Sequence, residues 1–409
     1  MQQAEELGEL IQAFKTSYDV PGIAVGVFRE KKVVYADGFG VQSLTTNKPL
    51  TTKSIYHMAS VSKPFVATAI VQLVEKGLVD LDEKLITYLP YFKMADQRYQ
   101  SITIRQLLYH SSGLSFEDYM KENIFIPVGM KSSTFYQPSV PETMATRPHI
   151  LGGELERVIS ETYPYNRRHA PSSTLHSNVE DMLLWAQVNL NKGIINGKRI
   201  YSEASYGLLT TPQVKVYDEV SVGLSWFISN MNDTRKYSHS GGDLGYSSYF
   251  GFIPEKQAAI VMMENVEGFP SARAANVVLR NAVFNDSTSW QGPISYKLKD
   301  YILADGIEKV KEVYFTEKNR TPSIYATRSK NFDNLGYWLI DRGHFQEALE
   351  VFLFNTELEP EDAGWVDSVA DAYVAMDSTD AAIRWYRKAL AMDPGQDFSR
   401  EKLDDLLLE

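Results

Sequence analysis

Apolar residues recur along this chain in two periods. Leu7, Leu10, Ile11 and Phe14 stand three and four apart, which predicts an amphipathic helix over 2–17, ended by Val20-Pro21-Gly22. Ile23–Phe28 and Val33–Ala36 are rich in β-branched and aromatic residues and predict two strands joined by the charged turn Arg29-Glu30-Lys31-Lys32. The helical period returns with Phe65, Val66, Ala69, Ile70, Leu73 and Val74, with Pro64 in the first turn and Gly77 as the stop. Ile102–Leu114 predicts a helix capped by Thr103 and stopped near Gly113. The stretch from 116 to about 215 is helical and loop-rich, with a helix starting at Asn178-Val179-Glu180-Asp181 and running to Leu190. From about 220 the strand pattern is back, in Val220–Ile228, Tyr237–Gly241, Ser247–Ile253 and Ala258–Met263, before a helix over Ser271–Phe284.

Strands at both ends of 1–285 with helices between them imply an α+β fold: an antiparallel sheet shared by the two ends, flanked by helices, with an inserted helical region. Asp286–Pro293 is turn-rich and reads as a linker, opening a segment 286–328 in which Ile302–Phe315 is expected to add another helix pair in front of the repeats. Residues 329–409 form an all-α tail that repeats with a period of 34: Ala348 aligns with Ala382, and Pro360 with Pro394. That period and the closing proline resemble tetratricopeptide repeats. A stack needs about three such units, so the tail is expected to lean on itself and on the preceding domain.

Charge adds an asymmetry. The tail from Ser329 holds 7 Lys/Arg against 18 Asp/Glu, while the rest balances at 34 against 34. The net charge of −11 thus sits in the last fifth, as a solvated helical surface. Nucleic-acid binding is disfavoured, because phosphate contacts need a basic surface. No apolar run approaches the ~18–20 residues of a membrane span. The N-terminus, Met1-Gln2-Gln3-Ala4-Glu5-Glu6, lacks a signal-peptide pattern, as expected of a cytoplasmic chain or of a mature or trimmed form. With no cysteine there are no disulfides, thiol nucleophiles or thiolate metal sites. His57, His149, His169, His176 and His344 form no metal-ligand spacing, and no cofactor is implied.

The candidate chemistry begins at Ser60-Val61-Ser62-Lys63. A serine and a lysine three apart share a face if a helix starts at the serine, which would put Ser60 at a helix N-terminus beside an amine able to take its proton. The pattern alone is weak, since Ser-x-x-Lys recurs at Ser399–Lys402 in the charged tail. The order of surrounding stretches is more specific: Val20-Pro21-Gly22, Ser60-x-x-Lys63, Leu81-Asp82, Leu107–Leu114, Pro127-Val128-Gly129-Met130, Ser177–Trp185 and His239-Ser240-Gly241-Gly242. Over about residues 5–285 this resembles the serine β-lactamase and penicillin-binding-protein superfamily, its class C-like branch in particular, which includes esterases and D-amino-acid peptidases.

The resemblance implies roles. Ser60 matches the acylated nucleophile, Lys63 the lysine that helps activate it, and His239-Ser240-Gly241 the third motif on the strand lining the site. His239 stands where β-lactamases carry a lysine and would hydrogen-bond a substrate carboxylate or the catalytic network. The backbone N–H groups of Ser60 and Gly242 match the oxyanion hole. The branch also implies an extracytoplasmic setting and a small ester, amide, lactam or peptide substrate, and the tail a protein partner. One motif is missing. The family's Tyr-x-Asn occurs nowhere in the chain, and Leu114-Ser115 runs almost directly into Phe116–Met120, as if a segment between Ser115 and Phe116 were deleted. The tyrosine that shares proton transfer with the lysine would go with it. Tyr163 and Tyr165, on the loop Tyr163–Arg168, are candidate substitutes, and His110 is expected to close a structural turn. Two functions follow: a serine hydrolase, possessing its first and third motifs, or an inactive hydrolase-fold binding module with an interaction tail. A third account makes the deletion an artefact of the reading frame, with an ordinary family enzyme as parent.

Overall fold

Gly22–Arg29 (β1) is buried at every position but its last. A strand covered on both faces needs apolar or small residues throughout rather than at alternate sites, and Ile23-Ala24-Val25-Gly26-Val27-Phe28 supplies them. The computed structural model describes residues 2–88, 90–91, 93, 97–104, 116–217, 219–327 and 330–408. These fall into two units, one comprising 1–15, 20–150 and 159–289, the other 16–19, 151–158 and 290–409.

In the first unit β1 pairs with Lys32–Gly40 (β2). Tyr56–His57 (β3) and His176–Ser177 (β4) form a separate two-stranded ribbon. Val214–Tyr217 (β5), Val220–Val222 (β6), Phe227–Met231 (β7), Thr234–Asp243 (β8), Tyr246–Ile253 (β9) and Ala258–Glu264 (β10) complete the main sheet, whose order is β2-β1-β10-β9-β8-β7-β6-β5. Every pairing is antiparallel, and β1 lies beside β10, so the two ends of the domain share one sheet. The sheet is flanked by helices, as the sequence pattern implied.

The principal helices are Gln2–Ser17 (α1), Ser62–Glu75 (α2), Val179–Leu190 (α3) and Ser271–Phe284 (α4). Asn178 caps α3 by accepting the Asp181 N–H at 2.9 Å. α3 packs on β1 and β10, and α4 on β9 and β10. Gly26 is where α3 comes closest to the sheet: a Cβ there would lie 2.6 Å from Val179 and 3.0 Å from Leu183. Phe65 of α2 stacks on Trp185 of α3, with ring centroids 4.2 Å apart, and both are fully buried.

Three expectations are corrected. The single strand expected over Val220–Ile228 is two, β6 and β7, because the chain turns at Gly223–Trp226 with Ser225 at φ 67°. β5 was not expected; all four of its residues are exposed, so it carries no buried alternation. The helix pair expected over Ile302–Phe315 belongs to a longer helical run, from Ser295 to Lys318, that breaks at Gly306, with φ 75°. Most of the helix expected over Ile102–Leu114, with the motif Leu107–Leu114 and His110, lies outside the described residues.

In the second unit, Gly292–Pro293 of the expected linker pairs with Tyr325–Ala326. Ser295–Lys318 (α5) is followed by Lys330–Ile340 (α6), Phe345–Leu358 (α7), Ala363–Ala375 (α8), Thr379–Met392 (α9) and Asp397–Leu408 (α10). Both bounds of α9 lie 34 residues after those of α7, and α10 begins 34 after α8. Gly336 lets α6 close on α7, since a Cβ there would run into the Phe352 ring. The tail's Ser-x-x-Lys is structural: Ser399 Oγ donates to Asp367 at 2.5 Å, and Lys402 Nζ bridges Asp367 and Asp371, each at 2.8 Å. Among the described residues no helix is long and apolar enough to cross a membrane.

Candidate active site

Ser60 does not begin a helix. It occupies the turn just before α2, and Ala59 ahead of it has a left-handed backbone, with φ 44°. Such a conformation costs an L residue about 1–3 kcal/mol and persists only where surrounding structure enforces it. Here Ser62 does the enforcing. Its buried Oγ donates to the Ala59 carbonyl at 2.6 Å and accepts the Leu175 N–H at 2.9 Å. Ser62 thereby fastens the Ser60 turn to the segment after Ser173.

Lys63 is the second residue of α2 and lies three residues on from Ser60, as the spacing required. Its Nζ is 2.5 Å from Ser60 Oγ and 3.1 Å from the carbonyl of Ser172. Burial lowers its pKa, and no carboxylate among the described residues pairs with it. Lys402 shows the contrast. Burial acts on it in the same direction, but Asp367 and Asp371 outweigh this and hold it above the usual lysine value. Only the first Ser-x-x-Lys therefore has an amine biased toward its neutral form.

β8 closes the other side. Its pairing with β7 ends at Ser238, while its pairing with β9 runs on to Asp243. From His239 to Asp243 one edge of the strand thus has no strand partner among the described residues. The side-chain positions of His239, Gly241 and Asp243 share a face by strand alternation. A Cβ on Gly241 would lie 3.0 Å from the Ser60 nitrogen and would overlap the Met58 carbonyl, so only glycine lets the strand approach the Ser60 turn. Gly242 borders open space, and the Ser60 N–H has no hydrogen-bond partner among the described residues.

His239 is buried and neutral. Burial first, then the charge of Lys63, push its pKa down to about 4, against the Ser240 carbonyl contact that raises it. That contact, from Nδ1 at 2.7 Å, leaves Nε2 without a hydrogen-bond partner among the described residues. The Ser240 side chain is exposed and points to the opposite face.

Of the two tyrosines only Tyr163 is engaged elsewhere, and the buried Tyr165 hydroxyl has no hydrogen-bond partner among the described residues. The Tyr163 hydroxyl donates to Nε2 of His176 at 2.9 Å, and its ring stacks on that imidazole. The Tyr165 ring lies 6.2 Å from His176, and the charges around it are Glu117 and Arg167. Neither forms a hydrogen bond with Ser60 or Lys63 among the described residues. A cavity of about 690 Å³ among Phe125, Met130, Tyr136 and Arg167 includes neither Ser60 nor Lys63 in its lining.

Sequence reasoning missed a second group of residues beside the site. His57, fully buried, places Nε2 3.0 Å from Asp243 Oδ2. His57 was considered only as a metal ligand, and Asp243 not at all. The signal was present, since Asp243 stands two residues after Gly241 on a strand.

The family described as Beta-lactamase matches residues 7–117 and 114–284, two segments that meet where the sequence places the missing motif. A penicillin-binding protein of Bacillus subtilis (strain 168) is 25% identical over 311 residues, 58% of this chain and 66% of that protein. The match thus spans just under two thirds of the Bacillus protein. A β-lactamase of Providencia stuartii is 27% identical over 346 residues, 64% of this chain and 86% of its own. Among solved structures, the octameric penicillin-binding protein homologue from Pyrococcus abyssi superposes with a TM-score of 0.62 at 21% identity, covering 73% of this chain and 81% of that one. The family match extends over more than half of the chain, and the chain belongs to the Beta-lactamase family, within the superfamily of β-lactamase- and penicillin-binding-protein-like serine hydrolases.

Proposed function

We propose that this chain is an active serine hydrolase whose Ser60 is acylated by a small ester, amide or lactam, the chemistry of esterases, D-amino-acid peptidases and β-lactamases. The observation that carries this reading is the 2.5 Å contact between Lys63 Nζ and Ser60 Oγ, with no carboxylate among the described residues to hold the lysine charged. Neutral Lys63 takes the Oγ proton as Oγ bonds to the substrate carbonyl carbon. The oxyanion accepts hydrogen bonds from the Ser60 and Gly242 N–H groups. Lys63 returns the proton to the leaving group, and water then releases the acyl group by the same route. His239 Nε2 accepts a hydrogen bond from substrate or from Lys63. The test is turnover of short-chain p-nitrophenyl esters and of nitrocefin by wild type and Ser60→Ala. Turnover above the variant's supports the reading, and equal rates overturn it.

A binding module is the second reading. It is favoured by the absence of Tyr-x-Asn and by the meeting of the two family-matched segments at 114–117. It predicts ligand binding that survives Ser60→Ala, with hydrolysis no faster than that variant's. We further read the tail as tetratricopeptide-like, recruiting a protein partner. The 34-residue offset between α7 and α9 supports this.

A further inference from the structure

Two successive side-chain positions on one face of β8 meet the segment around Ser60: Gly241 abuts the Ser60 nitrogen, and Asp243 holds His57. The two segments run past each other in opposite directions, and the His57–Asp243 pair is the clasp at one end. We propose that His57 and Asp243 are positioning residues, whose pairing fixes the Gly242 N–H relative to the Ser60 N–H. This rests on the hydrolase reading, in which those two donors receive the oxyanion.

Both partners are held from behind. The His57 ring sits among His176, Tyr246 and Tyr163, with centroids at 5.1, 5.6 and 6.3 Å. His176 is itself anchored, through Nδ1 to the Thr174 carbonyl and through Nε2 to the Tyr163 hydroxyl, each at 2.9 Å. Tyr246 donates to the Thr146 carbonyl at 2.6 Å. On the other side, Asp243 Oδ1 accepts the Leu244 N–H at 2.9 Å, so neither carboxylate oxygen is free to swing. The arrangement carries a cost that a purely apolar filler would avoid: His57 Nδ1 is buried with no hydrogen-bond partner among the described residues. That cost is understandable if the opposite nitrogen has to hold a particular carboxylate. Gly242 directly precedes that carboxylate in the chain, and His57 lies three residues before Ser60. One bond thereby ties the two donor-bearing segments together across 186 residues of sequence. Oxyanion donors act only when aimed at the developing charge, and removing one costs about 10²–10³ in rate. A donor displaced rather than removed should lose less.

The test compares wild type with Asp243→Ala, Asp243→Asn and His57→Phe. Steady-state kinetics on a p-nitrophenyl ester is one readout, and the separation of the Ser60 and Gly242 backbone nitrogens in crystal structures is the other. The proposal expects Asp243→Ala and His57→Phe to lower kcat roughly 10- to 100-fold, with KM within about threefold because ground-state binding is not the target. Asp243→Asn, which keeps an acceptor for Nε2–H, should recover most of the rate. The nitrogen separation should change by about 0.5 Å or more in Asp243→Ala, the tolerance within which a site stays productive. Unchanged kcat and unchanged separation in folded Asp243→Ala would overturn it. If wild type shows no Ser60-dependent turnover, the hydrolase reading falls, and the nitrogen separation alone decides whether the clasp positions Gly242.

Discussion

Lys63 Nζ and Ser60 Oγ are 2.5 Å apart in a half-buried setting that lowers the lysine pKa. Only an unprotonated amine can take the serine proton. kcat/KM should therefore rise with pH through a single ionisation, with its midpoint below the ~10.4 of a free lysine. Lys63→Arg keeps the charge but cannot release a proton, and should lose about 10²–10⁴ of the rate. A wild-type pH–rate profile, with the variant at its plateau, checks both.

Gly241 and Gly242 are adjacent and should differ sharply. Gly241→Ala puts a methyl 3.0 Å from the Ser60 nitrogen and into the Met58 carbonyl, where only backbone can yield. Gly242→Ala meets nothing within 4 Å. Thermal melts should show Gly241→Ala lowered by several degrees, about 1–3 kcal/mol by the usual cost of overpacking, and Gly242→Ala near wild type.

Ser62→Ala removes both hydrogen bonds that hold the Ala59 turn, leaving the Leu175 N–H buried and unpaired. The expected loss is about 1–3 kcal/mol, measured by urea unfolding. Ester turnover should fall further than the folded fraction does, because the turn presents Ser60.

Stability should fall as acid is added. Burial, mainly, pushes His239 down to about 4 and His176 to about 3, while an unfolded histidine titrates near ~6.5. The unfolded chain therefore binds more protons below pH ~6.5, and by linkage stability drops as pH is lowered through the folded values, at up to about 1.4 kcal/mol per pH unit for each proton. Above ~6.5 these two groups contribute no slope. Urea midpoints between pH 7.5 and 4.5 should decline in wild type and less steeply in His239→Gln.

What the sequence disclosed depended on how local the information was. α4 was expected over its observed span, and α3 was recognised from its start at Asn178, because periodicity and caps lie within a few residues. The Ser60–Lys63 contact was legible for the same reason, as an i,i+3 pair. The His57–Asp243 pair was not, since 186 residues separate its members and only the register of β8 against the nucleophile turn joins them. Tyr163 was singled out for its loop position, yet the β3–β4 ribbon sets His176 next to His57, and Tyr163 completes that cluster instead. β5 went unseen because an exposed edge strand has no buried face to set a period.

The central claim is that Ser60 is a competent nucleophile in this fold. Incubation of the intact chain with a fluorophosphonate, followed by intact-mass and peptide-mapping mass spectrometry, tests it most directly. The account predicts one stoichiometric adduct, mapped to Ser60 and absent from Ser60→Ala and Lys63→Arg. A folded wild-type chain that gains no adduct, or one labelled at another residue, would contradict it.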